Sequence, residues 1–286
     1  AWGPLNPRLP PWTDYLCSVA RHRGENRIHL SDAFCGLCGV YPPQEIPRIT
    51  DGNSGLPSGL ESVENNSRPN VVGLVLGAGE KERRIPMRVW QRFIQTCVTS
   101  LPDLRILLLG GQEEREIGLA IESNLSLSCL RRVINVCGKT SLAQLVSVVN
   151  RCGWVVGSDT GPLHLAAFSG SRTIGWYFSR ARVHETGPYG SGHYVWQYSD
   201  DSRNDGTEGN RHGASSDLPP LWPLKETVQL LGGKNVSSKV GGWSLWESLK
   251  DTFGTYYVCE HQKGNVEGDR KKIWEQLHGS VHCPAS

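Results

Sequence analysis

The residues best suited to chemistry lie in Gly157-Ser-Asp-Thr-Gly-Pro-Leu-His164. The apolar run 154–159 reads as a buried strand, and a short helix is expected from Pro162 to Ser169. Asp159 then closes a strand, while Thr160 and Gly161 stand at a helix N-terminus. Unpaired backbone N–H groups and the helix dipole make that position an anion site, and Gly161 lets a ligand approach closely. Asp159 can accept hydrogen bonds from sugar hydroxyls, and His164, in the first turn, can face the same ligand. The alternative is that Asp159 only caps the helix and His164 is packed. The residues alone leave both readings open.

A second segment, Gly77-Ala-Gly-Glu-Lys-Glu-Arg-Arg-Ile-Pro86, follows another apolar run. It places Lys81, Arg83 and Arg84 beside a glycine-rich turn, and guanidinium groups match diphosphate oxygens in geometry. Its spacing is neither the dinucleotide fingerprint nor a P-loop. The alternative is a solvated loop. Three weaker segments are Gly110-Gly111, Gly138-Lys-Thr-Ser141 and His184-Glu-Thr-Gly-Pro-Tyr-Gly190. Thr140 and Ser141 can cap a helix or touch a nucleotide. A nucleophile elbow, an HExxH pair and an EF-hand loop are all missing from the sequence.

These segments need a scaffold. Apolar runs at 71–78, 105–111, 133–138, 154–159 and 173–178 predict five buried strands. Helical segments starting at Pro86, after Gln112, after Ser141 and at Pro162 alternate with them. Such alternation predicts a parallel sheet covered on both faces, a doubly wound Rossmann-like α/β domain. Ligands bind such sheets outside the carboxyl ends of the strands, so the loops after 78, 110, 138 and 159 share one edge. Helices are also expected near Trp12–His22 and Ser31–Gly39, followed by a linker-like stretch, Pro42–Pro69. The segment 199–220 reads as a polar loop, with helical patches at Leu224–Leu231, Ser244–Thr252 and Arg270–His278. The division is 1–66, 67–200 as the ligand-binding domain, and 201–286 as a polar loop and helical extension.

Composition excludes several classes. Thirty Lys plus Arg against 28 Asp plus Glu leave a net charge of +2, which gives no electrostatic case for nucleic acid. No run reaches the roughly 18 apolar residues of a membrane span. Nine cysteines lack a regular framework and fit a reduced setting. Cys35-Gly-Leu-Cys38 is a single pair, for which ordinary packing outweighs zinc or redox work. The chain opens on Ala1 and has one methionine, Met87, which reads as a fragment or a processed chain.

In order and spacing, these segments resemble glycosyltransferase family 9, the ADP-heptose:lipopolysaccharide heptosyltransferases. The resemblance rests on Gly77-Ala78, Arg83-Arg84-Ile85-Pro86, Leu108-Leu109-Gly110-Gly111, Gly138-Lys139-Thr140-Ser141-Leu142, Gly157 to His164, and Thr186-Gly187-Pro188-Tyr189-Gly190. Ile85 stands where the family usually has tryptophan. The resemblance implies a GT-B fold, with 67–200 as its donor domain and 1–66 as part of an acceptor domain. It implies inverting, metal-independent transfer with no cofactor, from an ADP-linked sugar to a lipid A-core or other glycan acceptor.

In that reading Asp159 binds the donor sugar, and Arg83 stabilises charge on the departing nucleotide. Gly111, Gly138 and Thr140 line the nucleoside pocket. Gly77, Ala78, Ser141, Thr160, Gly161, Pro162 and His164 complete the donor site. The family's general base is expected upstream of this chain; Asp32 resembles a later part of the acceptor domain and is not assigned that role. A cytoplasmic location, peripheral at the inner membrane, follows from a lipid-linked acceptor. Two further readings are a nucleotide-sugar-binding module without catalysis and a Rossmann oxidoreductase, the latter disfavoured by the spacing of Gly77-Ala-Gly79.

Overall fold

Val71–Val75 (β1) has no polar side chain, and all five residues are buried. Alternate residues pack into different cores. Val72 and Leu74 join one cluster, while Val71 and Val75 join another. A strand buried on both faces sits at the centre of a covered parallel sheet. β2 (Arg105–Leu109), β3 (Val133–Asn135), β4 (Trp154–Gly157), β5 (Arg172–Tyr177) and β6 (Tyr194–Tyr198) follow. The order is β3-β2-β1-β4-β5-β6, all parallel. The computed structural model describes residues 10–21, 26–50, 55–57, 60, 70–199, 219–260 and 266–278.

The first core is built by α3 (Met87–Ser100), which buries Val89, Trp90, Phe93, Ile94 and Cys97, the three-and-four spacing of an amphipathic helix. Trp90 stacks on Trp176 of β5 at 5.3 Å. The opposite core takes α6 (Leu142–Val149) and α7 (Gly161–Phe168). Between them in sequence lie α4 (Arg115–Ser123) and α5 (Leu127–Leu130). Helices on both faces make the doubly wound α/β arrangement expected from the sequence.

One expectation is corrected, and one strand adds to those expected. β6 was not foreseen, although Tyr-Val-Trp-Gln-Tyr suits a pleated, buried surface. Ser244–Thr252 is not helical: β7 (Lys239–Val240), β8 (Trp243–Asp251) and β9 (Gly254–Val258) continue the sheet in antiparallel fashion, with β8 against β6. Trp243, Trp246 and Leu249 are spaced by three and mimic a helix face. Pairing with β6 decides the outcome: Trp246 and Ser248 turn inward, Glu247 and Leu249 outward.

α1 (Pro11–Arg21) and α2 (Leu30–Leu37) form where expected, a short α8 (Val183–Thr186) lies between β5 and β6, and α9 (Leu224–Leu231) and α10 (Val266–His278) fall on predicted patches. Trp12, Tyr15, Ile28 and Trp274 make a third core joining α1, α2 and α10. Most of the polar loop expected at 199–220 and part of the linker-like stretch lie outside the described residues. No helix among the described residues is long and apolar enough to cross a membrane.

Candidate functional site

The strand order reverses direction between β1 and β4, and crevices at such switch points bind ligands. The loops that leave these two strands meet there. Arg83, in a single tight turn over Lys81–Arg83, sends Nη1 to Asp159 Oδ2 at 2.9 Å and to the Asp159 carbonyl at 3.1 Å. His164, one turn into α7, donates from Nε2 to Oδ1 at 3.3 Å. The Thr186 hydroxyl donates to Oδ2 at 3.1 Å. Asp159 is 7% exposed. Burial alone would push its carboxyl up, but the His164 hydrogen bond and charge, the Arg83 cation and the Thr186 hydroxyl hold it below its ordinary value. Asp159 is therefore an ionised hub that fixes Arg83.

Beside this pair α7 begins. Thr160 is its N-cap in extended conformation, without a side-chain cap bond. Pro162 has no N–H to leave unpaired, which suits the first turn. The Leu163 and His164 amides return to the Thr160 carbonyl. The Gly161 amide precedes the first intrahelical bond and so belongs to the orphan donors of the helix start. A Cβ on Gly161 would meet nothing within 4 Å, so the helix start is open on the side where a side chain would stand. The buried hydroxyls of Ser158 and Thr160 have no hydrogen-bond partner. Buried polar atoms are nearly always satisfied, and these two orphans both lie at the turn from β4 to α7.

The other expected residues lie along the same edge, over β1, β2 and β3. Gly138 has φ +70°, a left-handed conformation that favours glycine, and its amide bonds the Gly110 carbonyl at 3.0 Å. The Ser141 hydroxyl accepts from the Gln144 amide and the Gln144 side chain accepts from the Ser141 amide, a capping box. Ser141 thus serves α6, while Thr140, just before it, stands free of that cap. The carbonyl of Ala78 accepts from Arg84 Nε at 3.3 Å. Lys139 Nζ donates to the Asn135 carbonyl at 2.8 Å.

Two residues were not singled out from the sequence. Glu114 is buried and accepts from the Gly111 amide at 2.9 Å. A Cβ on Gly77 would lie 2.6 Å from its carboxylate, and one on Gly110 2.5 Å from its Cβ. These glycines make room for a carboxylate at the ligand edge, so the readable signal was a Gly-Gly step with an acid three residues later. Thr186 sat in a noted segment, but its place on Asp159 depends on tertiary packing. The CxxC pair does not gather ligands: no cluster of three or more His, Cys, Asp or Glu suited to a metal occurs among the described residues.

The fold is a doubly wound α/β sheet, and the Arg83–Asp159 pair lies at the carboxyl edge of its strands, at the β1/β4 switch point. The chain belongs to glycosyltransferase family 9 (heptosyltransferase), whose sequence pattern matches residues 38–204. It is 27% identical over 139 residues to the lipopolysaccharide core heptosyltransferase OpsX of Haemophilus influenzae, covering 48% of this chain and 36% of that one. Among solved structures it is similar to the ADP-heptose LPS heptosyltransferase II of E. coli, with a TM-score of 0.43, 21% identity, and coverage of 51% of this chain and 44% of that one. A family 9 glycosyl transferase from Veillonella parvula gives a TM-score of 0.45 and 20% identity, covering 60% and 47%. The chain spans 36% of the length of the curated relative and under half of each of these two solved chains.

Proposed function

We propose that this chain carries the donor-binding half of a sugar transferase, with 67–200 as the donor domain. The donor is a nucleoside diphosphate sugar, ADP-heptose in the family reading, and the acceptor a lipopolysaccharide core or related glycan. The observation that carries the reading is the Arg83–Asp159 pair at the β1/β4 switch point, beside an open helix start with two orphaned hydroxyls. Together they supply a cation, a helix N-terminus and polar groups for one diphosphate. From β4 to β3 the edge crosses three strand intervals, about 14 Å, room for a nucleoside along Gly111, Gly138 and Thr140. The Glu114 carboxylate is an acceptor for nucleoside hydroxyls, and Gly77 and Ala78 form the floor beneath.

In the transfer the bond from the anomeric carbon to the diphosphate oxygen breaks, and its electron pair leaves with the nucleotide. Arg83 and the α7 N-terminus face the charge that develops and stabilise it. The acceptor hydroxyl attacks from the opposite face, inverting the centre, and gives up its proton to a base that we do not place among the described residues. Asp32 is not that base: it is fully buried and bonded to Tyr189 and Thr255. The Arg83 cation fills the role that a metal plays in other transferases. A cytoplasmic site of action, peripheral at the inner membrane, belongs to the same proposal.

Thermal denaturation with and without ADP tests it. ADP at a hundred times its dissociation constant raises stability by about 2.7 kcal/mol, a readable shift in melting temperature. Asp159→Ala removes that shift. Equal protection by ADP in wild type and Asp159→Ala would place the nucleotide elsewhere.

A further inference from the structure

The hydroxyl of Thr186 donates to Asp159 Oδ2 at 3.1 Å. That same oxygen takes Arg83 Nη1 at 2.9 Å. The residues after Thr186 are pinned by chain segments distant in sequence. His29 Nε2 donates to the Gly187 carbonyl at 2.8 Å. Its Nδ1 accepts from the Ser31 amide at 3.1 Å, so the proton is on Nε2. The Tyr257 hydroxyl donates to the Pro188 carbonyl at 2.7 Å, and Gly190 N–H to the Thr255 hydroxyl at 2.9 Å. Tyr189 donates to Asp32 Oδ1 at 2.5 Å, and the Thr255 amide to Asp32 Oδ2 at 3.0 Å. A Cβ on Gly187 would lie 2.4 Å from the Tyr257 ring, so the contact tolerates only glycine.

This frame has two parts. One is α2 with its N-cap His29; the other is the β8–β9 hairpin. His29, Asp32, Thr255 and Tyr257 all lie outside the segment that matches the family pattern. Their common target is the loop that delivers one hydroxyl to one carboxylate oxygen. Behind Thr186, its carbonyl is held by the buried Tyr177 hydroxyl at 2.7 Å. A carboxylate with two donors on one oxygen cannot rotate without losing both, so Thr186 fixes the plane in which Asp159 presents Arg83.

We propose that Thr186 is a positioning residue for donor binding, acting through Asp159 on Arg83, and that the His29–Asp32 and Thr255–Tyr257 frame sets its place. The proposal rests on the donor-site reading above. The charged and titratable groups facing Asp159 are Arg83 and His164, with Tyr177 and His29 behind them and Glu80 3.5 Å from Arg83 Nε. Losing a donor raises the proton affinity of the Asp159 carboxylate.

The test is calorimetric titration of ADP into the full chain, from pH 4 to 8. Thr186→Val weakens ADP binding about tenfold, the worth of one hydrogen bond to a charged group, and moves the acid-side loss of binding to higher pH. Thr186→Ser stays within about twofold of wild type. In an Arg83→Ala background Thr186→Val costs nothing further, because the partner it acts on is gone. Tyr257→Phe removes the hydroxyl that donates to Pro188 and also interacts with Ser248; it produces a smaller loss that also vanishes in Arg83→Ala, which keeps the test open should Thr186→Val fail to fold. If Arg83→Ala weakens ADP but Thr186→Val and Tyr257→Phe behave as wild type, or lose affinity equally with and without Arg83, the proposal falls and the donor site stands. If Arg83→Ala leaves ADP affinity unchanged, the donor-site reading falls and takes the proposal with it.

Discussion

Asp159→Asn isolates the charge at the centre of the site while keeping its shape. In the native chain the Asp159 side chain is 9% exposed and that of Arg83 23%, so the pair is shielded but not dry. The amide accepts less strongly from Arg83, His164 and Thr186, and leaves the Arg83 cation with Glu80 at 3.5 Å as its acidic neighbour. One lost bond to a charged group costs about 1.5–3 kcal/mol, and water reaching Arg83 offsets part of that, so the expected loss is about 2 kcal/mol at pH 7. The sign with pH follows from the lowered carboxyl. Such a group stabilises the fold above its unfolded value, about 3.9, and that contribution is lost as pH falls through the still lower folded value. Urea denaturation from pH 7 down to pH 3 should therefore show the gap between wild type and Asp159→Asn closing below about pH 4. A gap that stays constant over that range, or a variant as stable as wild type at pH 7, would refute the ionised-hub account.

Three further outcomes follow. Burial pushes the Asp32 carboxyl up to about 7, so its contribution is complete below the unfolded value, about 3.9, and is lost as pH rises to about 7; wild type should lose up to about 1.4 kcal/mol per pH unit between those two values and level off above about 7, and Asp32→Asn should flatten the slope in denaturation curves. Ser141→Ala removes a capping box and should cost about 1 kcal/mol of stability while calorimetry finds ADP affinity within about twofold of wild type. Gly77→Ala drives a Cβ against Glu114 and should lower the melting temperature by an amount equivalent to about 1–3 kcal/mol, with Gly111→Ala, whose Cβ meets Glu114 only at 3.5 Å, costing less.

The site was legible where the chain writes its chemistry locally. Asp159, Thr160 and Gly161 could be placed because a buried strand must end there and a helix must begin. Arg83 was legible as a cation beside a glycine turn, but its pairing with Asp159, 76 residues away, was not. Ser141 shows the reverse case: a side chain consistent with ligand or cap, whose capping partner Gln144 stands three residues on. Thr186 and Glu114 matter through neighbours that only the folded sheet supplies. The β8 segment misled because Trp243, Trp246 and Leu249 share a spacing with helices, while the partner strand that overrules it, β6, had itself gone unread. His29 and Asp32 carried no local sign of their contacts with Gly187 and Tyr189, more than 150 residues on.

The most direct measurement is a crystal structure of this chain with ADP bound. The account predicts the diphosphate at the start of α7, its oxygens about 3 Å from the Gly161 amide and an Arg83 guanidinium nitrogen, with the nucleoside running over Gly111 toward Gly138. A diphosphate bound away from both Gly161 and Arg83 would contradict it.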